Sequence, residues 1–412
     1  MTRAIVLAML LAVVAGTLTP VNSFVYSCYA FIGALFLNGL KMVVVPLIVS
    51  SIITAVIGVN GRELGTIGVK ALVFYFITTA LAVGTGMVLV NLIGPGINAP
   101  TELRELLSAS SAPSGVGAAS RDLSSFFLDM VPDNVVLAAV QGEFIGLIFF
   151  SFLFGIFASQ LQGKSYTSLY DFWHASQLVI MRITQWVLTF TPIGVFALIA
   201  KVIAGSGLSA FVPMVAFFVT VVIGLCVHFF ITQSLLLFFL SRINPVKHLQ
   251  AMSPALFTAF STASSLGTLP VTLTCVENRV GVSAKIARFV LPLGGTVNMD
   301  GTALYECVAV IFIAQLLGIQ LTIATQITIA ILALLTSIGV AGVPAASLVA
   351  ISLIMSSVGL PLEAMGLLLI TDRILDMMRT TVNVYGDSVG AAIIAKSEKE
   401  DLPYDLTSKL SK

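Results

Sequence analysis

The sequence predicts an all-α integral membrane protein, and three observations predict it. Hydrophobic residues make up 58% of the 412 and charged residues only 9%, with a mean hydropathy of +1.06. A water-soluble domain carries roughly a quarter of its residues as Asp, Glu, Lys and Arg, so most of this chain does not face water. Apolar runs long enough to cross a hydrocarbon core, about 20 residues each, follow one another through the first half of the chain. In the second half the polar residues inside apolar runs fall either at interruptions or at helical spacing.

Charge and reactive residues exclude several classes of function. Lys and Arg total 20 against 19 Asp and Glu, a formal net charge of +1, so no global field draws in nucleic acid. Cys28, Cys226, Cys275 and Cys307 are scattered with no CxxC spacing, and read as packing residues. His174, His228 and His248 offer no i, i+4 pair for zinc. They read as structural.

The first span is Ile5 to Leu18, because Thr19-Pro20-Val21-Asn22-Ser23 offers no signal-peptide cleavage site. Phe24 to Val59 and Ile67 to Ile93 follow, long enough to imply tilt. From Gly94 to Asp129 the composition turns to Pro, Ser, Gly and charge, with Ala112-Pro113-Ser114-Gly115 at its centre, which predicts a mobile loop outside the membrane. Val135 to Phe157, Leu178 to Val202 and Phe211 to Leu240 complete six spans, with Lys164, Tyr166 and Asp171 in the link before the fifth. Arg3, Arg62, Lys70 and the tail lysines Lys396, Lys399, Lys409 and Lys412 place both termini in the cytoplasm. Lys41, within the second span, reads as a snorkelling side chain.

Beyond residue 241 the runs are interrupted at Ser261 to Pro270 and again at Ser337 to Ser347, where Ser, Gly and Pro stand in place of Leu or Val. Each interruption sits midway through roughly 35 residues, so each half is too short to cross the bilayer and a re-entrant hairpin results. Paired interruptions of this kind point to a transporter site near the midplane. Between them, Gly294-Gly295-Thr296-Val297-Asn298-Met299-Asp300-Gly301-Thr302 should unwind a helix and free carbonyl oxygens beside a carboxylate, a donor set that suits sodium.

The last apolar segment carries Asp372, Asp376, Arg379, Asn383 and Asp387 at steps of four, three, four and four. At about 100° per residue they fall within an arc of about 80°, one polar face on an apolar helix. Each ionised group costs about 2.5 to 3.5 kcal/mol at a bilayer centre, so four would cost roughly 10 kcal/mol unless paired or solvated. Arg379 can grip a carboxylate with its planar fork, Asp376 can hold an ammonium, and Thr380 and Asn383 supply neutral hydrogen bonds. An acidic amino acid fits that set.

Gly267-Thr268-Leu269-Pro270, Asn298-Met299-Asp300-Gly301-Thr302, Ala341-Gly342-Val343-Pro344 and Asp376 through Asp387 make the chain resemble the dicarboxylate/amino acid:cation symporters, the glutamate transporter family, over essentially its whole length. The resemblance implies eight transmembrane helices plus two re-entrant helical hairpins, arranged as inverted repeats in a homotrimer working as an elevator. Scaffold helices 1–2 then occupy residues 1–65, transport-domain helix 3 residues 66–94, an extramembrane loop 95–130 and scaffold helices 4–5 residues 131–205. The transport-domain core takes 206–412, with the second hairpin as gate. By similarity Ser265, Thr302, Val343, Asp376, Arg379, Thr380 and Asn383 bind substrate. Sodium is implied at three places: Gly294, Asn298, Asn383 and Asp387; Thr296 and Met299 with Ser337, Ile338 and Val340; and Tyr75, Thr78, Thr79, Asn298 and Asp300. Co-transported sodium is implied, with no organic cofactor.

Two departures accompany the likeness. Family members place an arginine in the first tip or beside the last-helix Asp, where this chain has Ala263 and Met377, which leaves Asp376 without that partner; Ser347 stands where a glycine is common in the second tip. Glu306 matches the glutamate of proton-coupled animal members, and a buried carboxyl can carry a proton one way and release it on the other side. The resulting expectation is a sodium-coupled symporter of glutamate or aspartate in a cell membrane. Neutral amino acids or C4-dicarboxylates are the alternative cargo, but the first would not need Arg379 and the second would not need Asp376. A membrane-embedded hydrolase is more distant, since Ser264 and Ser265 have no histidine in any motif.

Overall fold

The structure is a computed structural model that describes residues 2–21, 23–58, 65–109, 128, 130–141, 144–207, 211–339 and 347–403. They are overwhelmingly helical, with no β-strand among the described residues. In chain order the helices are α1 (Thr2–Leu18), α2 (Phe24–Gly58), α3 (Gly65–Ile93), α4 (Thr101–Ala109), α5 (Val135–Gln141), α6 (Phe144–Ser159), α7 (Gly163–Thr189) and α8 (Thr191–Ser206). Then come α9 (Phe211–Cys226), a π-helical turn (Val227–Thr232), α10 (Gln233–Ser241), α11 (Pro245–Thr262), α12 (Ser265–Cys275), α13 (Ala284–Val297), α14 (Asp300–Leu316), α15 (Ile323–Gly339), α16 (Ser347–Ser357) and α17 (Met365–Ser397). By length and hydropathy, four stretches among the described residues cross a membrane unaided: Phe24–Ile57, Thr66–Ile93, Phe211–Ser241 and Ala284–Leu316. The pair α7 and α8 makes a fifth, bent by 50° at its junction.

Sequence patterning misplaces the fifth span. Lys164, Tyr166 and Asp171 are not in a link but on α7, which begins at Gly163. Tyr166, Tyr170 and His174, spaced i, i+4, stack with interplanar angles of 5° and 7° and support that first half. The apolar run is then cut at Phe190, because Pro192 in the first turn of α8 has no N–H to give the carbonyl of Leu188. The Thr191 hydroxyl donates to that carbonyl instead, at 2.7 Å.

Over the fourth span the described residues form α5 and α6, with Gly142 and Glu143 outside them. The stretch 94–129 is only partly the free loop its composition predicts. Its first part folds back as α4, where Arg104 Nε donates to the carbonyl of Leu316 (3.2 Å) and Gln315 Oε1 accepts from the Gly96 N–H (3.2 Å). A cation at the C-terminal end of α14 also complements the helix dipole. Ala112 to Gly115 lie outside the described residues.

Both interrupted segments are helix pairs, α11 with α12 and α15 with α16. The first turns at two residues rather than ten. Ala263 takes a left-handed backbone (φ 50), Ser264 caps α12 by accepting from the Gly267 N–H (3.1 Å), and Ser265 to Pro270 are already helical. The second tip, 340–346, lies outside the described residues.

The expected unwinding at 294–302 is also narrower than its composition suggests. Only Asn298 and Met299 leave helical geometry, Gly294 and Gly295 finish α13, and Gly301 and Thr302 belong to the first turn of α14. Two sets of packing follow. Helix α1 lies against α8, while α2 lies against α6, α7 and α8; elsewhere α3 packs on α14, and α9, α11, α13 and α14 surround α17. α14 is buried on all sides from Asp300 to Ala314, as a helix apolar all round must be. The polar face of α17 is thereby walled in by protein.

Candidate functional site

Asp372, Asp376, Arg379, Thr380, Asn383 and Asp387 are all buried on α17, so its polar face points into the helix cluster. Arg379 is the most enclosed charge on this face, 1% exposed. Its Nη2 donates to Asp372 Oδ1 (3.1 Å) and Asp376 Oδ1 (2.9 Å), and its guanidinium carbon lies 3.8 Å from the centre of the Tyr305 ring. Nε and Nη1 are buried with no hydrogen-bond partner. One nitrogen of the fork thus holds two carboxylates, and the other two donors are uncommitted.

Asp376 has an arginine partner after all. Arg373, one turn earlier on the same helix, brings Nη1 to 3.6 Å from Asp376 Oδ2. The usual arginine is absent, as Ala263 and Met377 imply, and Arg373 stands in from an i, i+3 position on the same helix.

Thr380 donates back to the Asp376 carbonyl at 2.8 Å, leaving its oxygen lone pairs to accept. Asn383 fastens α17 to the broken helix: its Oδ1 accepts from the Gly301 N–H (2.8 Å) and its Nδ2 donates to Thr302 Oγ1 (3.2 Å). Ser265 is buried at the start of α12, next to the cap residue Ser264. Val343 lies outside the described residues.

Two carboxylates on neighbouring helices form a second polar centre. Asp387 Oδ1 accepts from Asn298 Nδ2 at 3.0 Å. Asp300 Oδ1 accepts from Thr79 Oγ1 (2.8 Å), and Asp300 Oδ2 from Thr78 Oγ1 (2.9 Å) and Gln233 Nε2 (3.1 Å), with His228 Nε2 also 3.1 Å away. Tyr75 donates to the Val290 carbonyl (2.9 Å). Gly294 joins the centre through what it lacks, since a Cβ there would strike Asp387 Oδ1 and stand 2.7 Å from Tyr75 Oη.

Among the described residues neither Asp300 nor Asp387 forms an ion pair with a Lys or Arg. Two unit charges about 4 Å apart interact by about 4 kcal/mol at an effective dielectric of 20, so a monovalent cation here would be strongly held. Oxygen atoms from carboxylates, hydroxyls, an amide and carbonyls are the donors a hard cation takes.

The third expected group is only partly within the described residues. Thr296 and Ser337 spend their hydroxyls within their own helices, on the carbonyls of Leu293 (2.9 Å) and Leu334 (2.8 Å). Met299 is buried, Ile338 is placed by its backbone alone in the last turn of α15, and Val340 lies outside the described residues. Glu306 is fully buried on α14; its Oε2 accepts from Thr336 Oγ1 at 2.8 Å, while Oε1 has no partner.

Sequence reading does not single out Tyr305, Thr336, His228 or Gln233. His228 was set aside as structural because it belongs to no metal motif, yet it reaches Asp300. The signal available was a His and a Gln inside an otherwise apolar run, an arrangement costly enough in a membrane to require a partner.

The chain matches the sodium:dicarboxylate symporter family over residues 1–397. It is 35% identical over 459 aligned residues to the excitatory amino acid transporter 3 of Mus musculus, covering 99% of this chain and 87% of that one. An excitatory amino acid transporter of Caenorhabditis elegans is 36% identical over 413 residues, 90% of this chain and 82% of its own. The excitatory amino acid transporter 2 of Homo sapiens is 35% identical over 445 residues, 93% and 76% respectively.

Proposed function

Since the chain belongs to the sodium:dicarboxylate symporter family, we propose that it is a sodium-coupled secondary transporter of acidic amino acids in a cell membrane. The observation that carries the choice of cargo is Arg379, wholly buried, with Nε and Nη1 unpartnered beside Asp376. Two parallel bonds to one carboxylate use Nη2 together with Nε or Nη1, so a side-chain carboxylate takes one free nitrogen and displaces Nη2 from an aspartate, and Asp376 pairs with the amino group. Thr302, Thr380 and Asn383 frame the same place, with Ser265 of the first hairpin and Val343 of the second contributing backbone. The cargo is an amino acid, not an amine-free dicarboxylate, because Asp376, which already meets Arg379 and Arg373, keeps lone pairs that can also accept from an ammonium group.

Sodium ions bind at Asp387 with Asn383, Asn298 and the Gly294 carbonyl, and at Asp300 with Tyr75, Thr78, Thr79 and Asn298. A further ion is held by Thr296, Met299, Ser337, Ile338 and Val340. The negative charge of Asp300 and Asp387 supplies the coupling: a cation offsets it as the substrate enters, and among the described residues neither carboxylate meets a Lys or Arg, Asp300 having only His228 beside it. The chain's organic chemistry is confined to binding, so no cofactor is needed.

The division into a scaffold (1–65 and 131–205) and a transport domain (66–94 and 206–412) is supported by the two sets of packing, α1, α2, α6, α7 and α8 against α3 and α9 to α17. Three such subunits form the transporter, the transport domain of each moves across the membrane against its scaffold, and α15–α16 is the gate. Both termini lie in the cytoplasm.

Proteoliposomes with sodium, proton and potassium gradients imposed separately test driver and cargo together. Radiolabelled glutamate or aspartate should accumulate only with inward sodium. Accumulation without sodium, or exclusion of both acids, refutes the reading. Glu306 is the proton carrier in this scheme, its Oε1 free to hold a hydrogen that Thr336 does not satisfy. Uptake by the intact chain should respond to an imposed pH gradient, and Glu306→Gln should transport with that response removed; an unchanged pH dependence would sink the assignment.

A further inference from the structure

Gln233 is fully buried and touches the ion centre from a helix that the sodium sites do not otherwise use. Its Nε2 donates to Asp300 Oδ2 (3.1 Å) and, at 3.4 Å, to the carbonyl of Val382, while its Oε1 has no partner. Two acceptors on one side fix which way the amide faces, because the reversed amide would set oxygen against a carboxylate and a carbonyl.

The backbone explains how it gets there. His228 and Gln233 are five residues apart, which on an α-helix leaves them about 140° apart. Across the π-helical turn the Gln233 N–H donates to the His228 carbonyl, five residues back, so the two side chains stack and meet the same carboxylate oxygen. π turns occur frequently at functional sites, and of the two among the described residues, Val227–Thr232 and Val276–Val280, the first is the one that brings side chains to Asp300.

The four donors on Asp300 differ in kind. The hydroxyls of Thr78 and Thr79 can rotate and offer lone pairs to an ion; the amide nitrogen of Gln233 and the N–H of His228 cannot. We infer that Gln233 is a positioning residue, holding Asp300 in place when the two hydroxyls turn away from it to bind sodium. This rests on the sodium site proposed at Asp300.

The experiment measures, in the purified full-length transporter, the sodium concentration giving half-maximal uptake and half-maximal thermal stabilisation. Gln233→Met keeps the length and shape and removes the donor. It should raise both sodium midpoints about tenfold, the worth of one hydrogen bond to a charge. Half-saturation by the acidic amino acid at saturating sodium should stay within about twofold. A Gln233→Met protein that melts lower but keeps the normal sodium midpoints has lost only packing, and the inference fails. Asp300→Asn separates the two claims. If it shifts the sodium midpoints while Gln233→Met does not, Gln233 is not a positioning residue; if it too leaves them unmoved, the sodium site at Asp300 itself is wrong.

Discussion

Replacing Arg379 by Cys is expected to end the uptake of acidic amino acids and leave a protein that binds neutral ones. The loss has two parts. The fork's bonds to a carboxylate are charge-assisted, about 1.5 to 3 kcal/mol each, so a pair of them corresponds to at least about a hundredfold in affinity. Removing the cation also leaves Asp372 and Asp376 facing each other without Nη2 between them, and breaking a buried ion pair costs about 3 to 5 kcal/mol. Arg373, at 3.6 Å from Asp376, recovers only part of that.

Two controls separate recognition from folding. Arg379→Lys retains the charge near the two aspartates but not the planar fork, so it should keep near-normal thermal stability and still lose most affinity for acidic cargo. A sodium-dependent melting shift by cysteine or serine, with none by glutamate, is the expected signature of Arg379→Cys. Glutamate uptake at the original half-saturation in that variant would remove Arg379 from the binding site and end the account of cargo.

The polar face of α17 was legible in the sequence because its chemistry has a period. Five polar residues at steps of three and four in an apolar segment admit one arrangement, and burial of all of them follows from the cost of leaving charge in lipid. The two helix pairs α11–α12 and α15–α16 were legible for the same reason, as runs too short on either side of an interruption to span alone. Local breaks were not. Composition spread the unwinding over 294–302, whereas Asn383 holds the Gly301 N–H and Thr302 hydroxyl against α17 and confines it to Asn298 and Met299. Pro192 broke the fifth span without any change in hydropathy around it, since a missing N–H alters the hydrogen-bond ladder and not the polarity of the run. The roles of His228 and Gln233 depend on one extra residue in a helical turn, and no periodicity measured over α9 and α10 together marks where such a turn falls.

Gly294→Ala poses the sharpest question for the ion centre, because two local rules oppose each other there. Helix propensity favours the change: Gly294 lies inside α13, and alanine is better than glycine by about 0.8 to 1.0 kcal/mol in a helix interior. Geometry forbids it. The added methyl would strike Asp387 Oδ1 and sit 2.7 Å from Tyr75 Oη, and both atoms belong to fully packed helices. Asp387 could yield only by breaking its 3.0 Å bond from Asn298, and Asn298 is one of the two residues at which the helix opens. The expected result is therefore a folded transporter whose sodium midpoint for uptake rises at least about thirtyfold, a loss of about 2 kcal/mol in ion binding. Asp387→Asn should produce the same shift by removing the charge and leaving the volume untouched. If Gly294→Ala melts higher and keeps its sodium midpoint, propensity has prevailed, the methyl has found room, and the space between Asp387 and Tyr75 is not where an ion binds.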